Sequence, residues 1–391
     1  MSLHDCATEH PAVPDSEAPT SAAIWQPIAL AGRQLSNRLA VAPMSRVSTR
    51  GDGVPTAAMV HYYRRYAGGG FGSVITEGIY PIGPGSQGYP NQPGLVTAEQ
   101  VQAWAAVTSA VHGEGGLVVA QIMHAGALSQ HLRATVGPSA VTPRGEMMPE
   151  YGGAGAYPTP VALTADLIDD VVDGFAATAA LAVDAGFDGI EIHAANGYLL
   201  DQFLTPYTNL RTDRYGGSAS ARAQLTADIV RAVTSRTRGK VLVGVRLSQA
   251  KVNDSHHRWH NADEASEIFG TIAAAHPTYL HLAGEGRPWT ESGRAADGTP
   301  LGELARRLTG LPVMVNGALH GIELIERVLR SGEADLVSIG RPALADPDWP
   351  RRIRHGQTPR PFDHGMITPA ATVENTDAFL QRSASDGSPR P

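Results

Sequence analysis

Eight short apolar runs, separated by longer alanine-rich stretches, limit the fold of this 391-residue chain more than any other feature. Each run is as long as a typical strand, and apolar or β-branched side chains fill most of its positions. Runs of this kind are typical of parallel strands that are buried on both faces. The runs cover residues 39–44, 73–78, 117–124, 189–194, 241–248, 279–283, 313–316 and 336–340.

Helical patterns fill the intervals between these runs. Residues 97–112 begin at a Thr that can cap a helix, and residues 165–185 end just before Gly186. Eight successive β/α units predict an α/β fold, a single-domain (β/α)8 TIM barrel. A doubly wound open sheet is the competing fold, but no G-x-G-x-x-G turn follows the first strand.

The two ends of the chain and one long insertion depart from the repeating pattern. Residues 1–23 and 383–391 are rich in Pro, Ser and Asp without an apolar period, so we expect disordered tails there. We expect the barrel over residues 24–360 and a C-terminal extension over 361–391. The Gly- and Pro-rich segment 125–163 follows strand three and predicts an excursion that caps the barrel mouth.

The composition excludes several classes of partner and cofactor. The net charge is −7, and no basic cluster with interleaved aromatic residues indicates a nucleic-acid surface. Cys6 is the only cysteine, which excludes an internal disulfide and a cysteine-ligated iron–sulfur cluster. Neither a secretory signal nor an apolar run of membrane-spanning length is present, so we expect a cytoplasmic protein that acts on small molecules. A homo-oligomer is compatible with this sequence.

Polar residues gather at the carboxyl ends of the predicted strands, where barrels of this type place their active sites. His193 ends strand four, and Asn196 and Tyr198 follow within five residues. A tight turn could direct all three into one pocket, where two neutral donors would bind a carbonyl or nitro oxygen while the phenol delivers a proton. The spacing alone fits equally well with residues that merely hydrogen-bond within a turn.

Six motifs give the chain a resemblance to the Old Yellow Enzyme family of FMN-dependent ene-reductases. They span about residues 24–356 and occur in the family's order, one at each expected strand end. The motifs are NRLAVAPMSR (37–46), ITEG (75–78), AQIMHAG (120–126), EIHAANGYLLDQFLTPYTNLRTDRYGG (191–217), GVRLS (244–248) and SIGRPALADPDW (338–349).

The resemblance implies a set of site residues. His193 and Asn196 would bind the activating oxygen of the substrate, and Tyr198 would donate the proton. Arg246 would face the N1/O2 edge of the flavin, where its charge favours the reduced form. The flavin itself would be held by Ala42, Pro43, Met44, Ser45, Gly78, Gln121 and Arg246, with Gly317, Gly340 and Arg341 around its phosphate. Ser45 departs from the family's Thr or Cys, and Asn196 replaces a second His found in some members.

The resemblance implies an FMN-dependent enzyme that reduces the activated C=C bond of α,β-unsaturated carbonyl or nitro compounds with NADPH or NADH. The expected mechanism is ping-pong. The same site could instead reduce nitro or nitrate-ester groups, or desaturate a carbonyl compound oxidatively. A catalytically silent barrel that serves as an interaction module is a further alternative.

Two other chemistries are disfavoured by the residues available. A Schiff-base aldolase needs a lysine inside the barrel, whereas Lys240 precedes strand five and Lys251 is expected three residues past its end. His256, His257 and His260 lie in the following loop, where we expect a hydrophilic surface and no metal.

Overall fold

Eight parallel strands close into a barrel in the computed structural model, which describes residues 22–385. The barrel order is β10-β11-β12-β3-β4-β5-β8-β9, so each strand pairs with the barrel strand that precedes it in the chain and the last pairs with the first. The strands of the described residues are β1 (Ile28–Leu30), β2 (Arg33–Leu35), β3 (Leu39–Val41), β4 (Ser73–Ile75), β5 (Leu117–Ile122), β6 (Val136–Gly137), β7 (Val161–Ala162), β8 (Gly189–Asn196), β9 (Leu242–Lys251), β10 (Tyr279–Ala283), β11 (Val313–Asn316) and β12 (Leu336–Ile339). The predicted TIM barrel is therefore confirmed.

Helices cover the outside of the barrel and begin where the sequence supplies caps. Thr97 and Gln100 form a capping box at the start of α2, and the Thr164 hydroxyl accepts the Leu167 amide at the start of α3. The α-helices of residues 22–385 are α1 (Ala57–Gly68), α2 (Ala98–Gly113), α3 (Ala165–Asp184), α4 (Leu199–Leu204), α5 (Ala219–Thr237), α6 (Ala262–Ala273), α7 (Trp289–Ser292), α8 (Leu301–Thr309), α9 (Ile322–Arg330), α10 (Arg341–Ala345), α11 (Trp349–Arg354) and α12 (Val373–Ser385). Short 3-10 helices cover Ala23–Trp25, Gly126–Leu128, Pro149–Tyr151 and His364–Met366.

The amino-terminal end of the barrel is closed by a hairpin that the sequence patterns do not predict. Strands β1 and β2 pair antiparallel, and Leu30 and Leu35 are buried against apolar residues of the barrel interior. Because this end is filled with apolar side chains, the polar interior residues lie toward the opposite end, where the strands terminate.

Several predicted boundaries are wrong, among them the end of strand two, which lies at Ile75 and not at residue 78. Strand one ends at Val41, so residues 42–45 form an irregular segment at the barrel mouth. Strand five continues to Lys251, which is its last residue and is buried. At the C-terminus, α12 runs to Ser385, so residues 383–385 are helical and do not belong to a tail. At the N-terminus, Ala22 is buried and Ala23 begins a 3-10 helix, so residues 22–23 do not belong to a tail either. The rest of the two predicted tails, residues 1–21 and 386–391, lies outside the described residues.

The C-terminal extension packs against the barrel through Arg46. The buried Arg46 guanidinium donates to the Thr372 carbonyl and the Thr376 hydroxyl, both at 2.5 Å, and Arg65 forms an ion pair with Asp377 at 2.8 Å. These bonds place the start of α12 beside the segment that follows β3. No helix within residues 22–385 is both long and apolar enough to cross a membrane.

Candidate active site

A cavity of about 420 Å³ opens at the carboxyl ends of the barrel strands. It brings together every residue that the sequence analysis singled out for the site. Those lining residues are Ala42, Pro43, Met44, Ser45, Gly78, Gln121, His193, Asn196, Tyr198, Arg246, Gly317, Gly340 and Arg341. The excursion after β5 adds Met148, Glu150 and Tyr151 to the wall, which fits its predicted place over the mouth.

His193 lies in β8 and is a neutral imidazole. Burial, together with the nearby Arg246 charge, lowers the pKa of His193 to about 3. Its Nδ1 atom is buried and has no hydrogen-bond partner among the described residues. A buried polar atom without a partner at a cavity wall is a feature that a bound molecule can satisfy.

Asn196 ends β8 in a left-handed conformation, with φ of 64°, at an irregularity in the pairing of β8 with β9. Asn adopts this conformation more readily than most residues. Its backbone N–H donates to the Ser248 hydroxyl at 2.7 Å, and its side-chain amide donates to the Glu285 carboxylate. One amide hydrogen is thus engaged by Glu285, and the second remains for another acceptor.

Tyr198 follows the turn and occupies the N-cap position of α4, where its side chain forms no capping hydrogen bond. Its hydroxyl forms a hydrogen bond with the Tyr89 hydroxyl, and its ring lies 5.3 Å from that of His193. Burial, together with the neighbouring Tyr89, raises the pKa of Tyr198 well above its usual value. The phenol therefore keeps its proton over the whole physiological pH range.

Two positively charged groups lie at different positions along the cavity. Arg246 is buried, its Nη1 atom rests 2.9 Å from His281 Nε2, and its Nε atom has no partner among residues 22–385. Arg341 is exposed, stacks on Phe362 at 5.5 Å and forms no ion pair within the described part of the chain. The first cation is therefore fixed inside the barrel, and the second is available to a charged ligand.

Glycines line the wall near Arg341 and near Gln121 for different reasons. Gly317 has φ of 154°, and a Cβ there would lie 3.1 Å from the Arg287 carbonyl oxygen. A Cβ at Gly78 would lie 2.7 Å from Met123 Sδ, so the close approach of Met123 requires this glycine.

A buried carboxylate holds the irregular segment after β3. Glu77 accepts the backbone amides of Arg46 and Val47 at 2.8 and 2.9 Å and the Tyr63 hydroxyl at 3.1 Å. Burial nevertheless raises the pKa of Glu77 to about 7. The same segment presents Ser45, whose hydroxyl also bonds to Tyr89.

Several site residues were not identified as such from the sequence. Tyr89 and Tyr151 line the cavity from segments with no regular period, whereas Met123 and Glu285 lie just past the ends of β5 and β10. The signal for Tyr89 was weak, because it lies in a turn-rich stretch, GYPNQPG, with no spacing to another functional residue.

Lys251 and the loop histidines have structural partners. Lys251 forms a buried ion pair with Asp201 at 2.5 Å, and Asp201 also accepts the Gly197 amide at 2.7 Å. This pair fixes the turn that carries Asn196 and Tyr198. In the loop, His257 Nδ1 lies 3.0 Å from a backbone carbonyl oxygen.

Comparisons with known proteins agree on one family of flavin enzymes. The model of the NADH:flavin oxidoreductase / NADH oxidase family matches residues 23–359. The chain is 34% identical to 12-oxophytodienoate reductase 7 of Oryza sativa subsp. japonica over 368 residues, covering 87% of this chain and 90% of that protein. Among solved structures, it resembles an Old Yellow Enzyme homologue from Zymomonas mobilis with a TM-score of 0.79 and 30% identity, covering 90% and 99% of the two chains. It also resembles morphinone reductase in complex with tetrahydroNAD, with a TM-score of 0.77 and 32% identity, covering 90% and 96%.

Proposed function

We propose that this chain, which belongs to the Old Yellow Enzyme family of NADH:flavin oxidoreductases, reduces the activated C=C bond of α,β-unsaturated carbonyl or nitro compounds. As a member of this family it is an FMN-dependent ene-reductase that uses a nicotinamide hydride donor. The finer parts of the proposal are the substrate class, a ping-pong order with NADPH or NADH as the first substrate, and the residue roles below.

The residues of the cavity fit FMN. Its wall combines apolar groups at residues 42–44 with an unpartnered Arg246 Nε and an unpaired Arg341, so that both a ring system and a phosphate find suitable partners. When bound, FMN would supply the hydride-transfer chemistry that links the reduced nicotinamide to the substrate carbon. We propose that Arg246 and Gln121 hold the ring system and that Arg341, Gly340 and Gly317 hold the phosphate.

The observation that carries the proposal is the grouping of His193, Asn196 and Tyr198 on one wall of this cavity. His193 is neutral, and Asn196 has one amide hydrogen that Glu285 does not engage. Two neutral donors can bind a carbonyl or nitro oxygen and stabilise the charge that develops on it, without forming a salt bridge that favours the ground state.

Tyr198 completes the proposed chemistry as the proton donor. Its phenol is buried, retains its proton and lies beside the oxygen-binding pair. It would protonate the carbon next to the polarised group, while Tyr89 orients its hydroxyl. With one cavity serving both substrates, the nicotinamide must leave before the alkene binds, which is the reason for a ping-pong order.

An anaerobic acceptor screen tests this function. The purified protein, with NADPH or NADH, is assayed against cyclic enones, nitroalkenes and nitrate esters at varied concentrations of both substrates. We expect saturable reduction of enones and nitroalkenes with parallel lines in double-reciprocal plots, and FMN in the denatured supernatant. Turnover of nitrate esters alone would contradict the proposed substrate class, and intersecting lines would contradict the ping-pong order.

A further inference from the structure

A chain of fully buried polar side chains lies inside the barrel beneath the cavity. Glu191 Oε2 lies 2.8 Å from His281 Nδ1, and its other oxygen accepts the Gln121 side-chain amide at 2.8 Å. The Tyr279 hydroxyl donates to Glu191 at 3.1 Å. Glu191 and His281 have no exposed surface, and nothing in the proposed reaction uses them.

His281 connects this carboxylate to Arg246. The Arg246 Nη1 atom lies 3.2 Å from His281 Nδ1 and 2.9 Å from His281 Nε2. An imidazolium would repel the Arg246 guanidinium at this distance, so the His281 ring is neutral. Burial acts in the same direction, because it lowers the pKa of His281.

The charge on Glu191 fixes the tautomer of that ring. Burial acts to raise the pKa of Glu191, but the hydrogen bond from His281, the charge of Arg246 and the hydrogen bond from Gln121 outweigh burial and lower the pKa of this carboxyl. An ionised carboxylate only accepts hydrogen bonds, so His281 Nδ1 carries the proton and donates to it. His281 Nε2 then accepts from the Ser338 hydroxyl at 2.8 Å.

The arrangement is therefore a carboxylate, a neutral imidazole and a guanidinium in sequence. Of the acidic groups around Arg246, Glu191 acts on it most strongly and Glu285 next. A buried charge of this kind is costly unless it is paired, so Glu191 and Arg246 depend on each other.

We propose that Glu191, acting through His281, is the buried counter-charge that positions Arg246 and sets how much of its positive charge acts on the bound flavin. Glu191 and His281 are thus positioning residues, and Glu191 also orients Gln121 on the same cavity wall. This inference rests on the proposed placement of FMN against Arg246.

The direction of the effect follows from the charges. Reduced flavin carries more negative charge than oxidised flavin, so a stronger positive field favours reduction. Removing the negative charge in Glu191→Gln leaves Arg246 less neutralised and raises the midpoint potential of FMN. Removing the positive charge in Arg246→Gln leaves Glu191 unopposed and lowers it.

A cycle of three variants in the FMN-loaded enzyme tests the inference, with the midpoint potential measured by equilibration with a reference dye. We expect Glu191→Gln to shift the equilibrium constant for FMN reduction at least tenfold toward reduction, which is about 30 mV for two electrons. Arg246→Gln should shift it in the opposite direction, and the double variant should return toward wild type. Tyr279→Phe is the matched control, because it removes a hydrogen bond to Glu191 without changing any charge, and its equilibrium constant for FMN reduction should stay within about twofold of the wild-type value, well under a tenfold change.

The cycle also separates this inference from the proposed function. An unchanged potential in Arg246→Gln would refute the placement of FMN against Arg246. A lowered potential in Arg246→Gln with no change in Glu191→Gln would leave that placement intact and refute the role of Glu191. If Glu191→Gln fails to fold, the double variant can be used in its place, because it carries no unpaired buried charge. Its midpoint potential is then compared with that of Arg246→Gln, and equal potentials would refute the role of Glu191.

Discussion

Replacing Tyr198 by Phe isolates the proton-transfer step of the proposed reaction. The change deletes one buried hydroxyl and leaves the ring in its place against His193. Tyr89 loses one hydrogen-bond partner, a cost of about 1–3 kcal/mol that a folded domain tolerates. The variant should therefore fold and bind FMN, so its kinetic defect is interpretable.

The expected defect is confined to the half-reaction that consumes the alkene. General acids contribute about 10²–10⁴ in rate, so the reoxidation of reduced enzyme by an enone should slow by that factor. Reduction of the enzyme by nicotinamide needs no proton from Tyr198 and should stay within a few-fold of wild type. Stopped-flow absorbance of each half-reaction under anaerobic conditions measures the two rates separately.

Two further variants make the comparison specific. Tyr157→Phe removes a phenol hydroxyl from the same apolar cluster, one that accepts from Gln130 at 3.1 Å but does not line the cavity, and both half-reactions should remain near wild type. Tyr89→Phe removes the hydroxyl that bonds to both Tyr198 and Ser45; loss of the bond to Tyr198, worth about 0.5–1.5 kcal/mol, should slow enone reduction by about two- to tenfold. Equal slowing of both half-reactions in Tyr198→Phe would refute the proton-donor role, because it would indicate a disturbed site.

Three other outcomes follow from the site. His193→Ala and Asn196→Ala should each slow enone reduction by about 10²–10³, and the double variant should lose the charge-transfer absorbance of bound phenols while keeping its FMN. Arg341→Ala should release FMN on gel filtration, because it loses the countercharge proposed for the phosphate; full retention would place the phosphate elsewhere. Since burial raises the pKa of Glu77 from 4.5 to about 7, the folded protein holds a proton there that the unfolded chain releases. The contribution of Glu77 to the free energy of unfolding should therefore be largest below pH 4.5 and fall toward pH 7, so the free energy of unfolding of the wild type relative to that of Glu77→Gln should fall over this range in denaturant titrations.

The barrel could be predicted because its strands and helices are specified by patterns between residues that are close in the sequence. Buried parallel strands require continuous apolar runs, and helix caps such as Thr97 and Thr164 mark where the chain turns back. The hairpin β1–β2 was missed because each of its strands has three residues, too few to show a period. Strand β9 was predicted too short because a lysine is usually exposed, so Lys251 was placed beyond the strand. Its buried partner Asp201 lies fifty positions earlier, where no local pattern indicates the pairing.

The candidate site was predicted in part. The thirteen residues implied by the resemblance to the family line one cavity, since they lie at or just past the carboxyl ends of strands that meet at one mouth. Tyr89 and Tyr151 were missed because loops that reach over the mouth approach it from directions that no spacing in the sequence encodes.

The buried network shows which signal in the sequence was overlooked. Glu191 and His281 each interrupt an apolar run within a strand, where a polar side chain must find a partner inside the barrel, and Tyr279 begins the strand that contains His281. The register puts Glu191 and Tyr279 on opposite sides of Gly244, and a Cβ at that glycine would lie only 2.1 Å from the Tyr279 ring. Gly244 therefore provides the space through which Tyr279 reaches Glu191. In a parallel barrel, a glycine that pairs with polar residues on both neighbouring strands indicates that the two polar side chains contact each other across it. Here that contact lies beneath Arg246, which is two residues further along the same strand as Gly244.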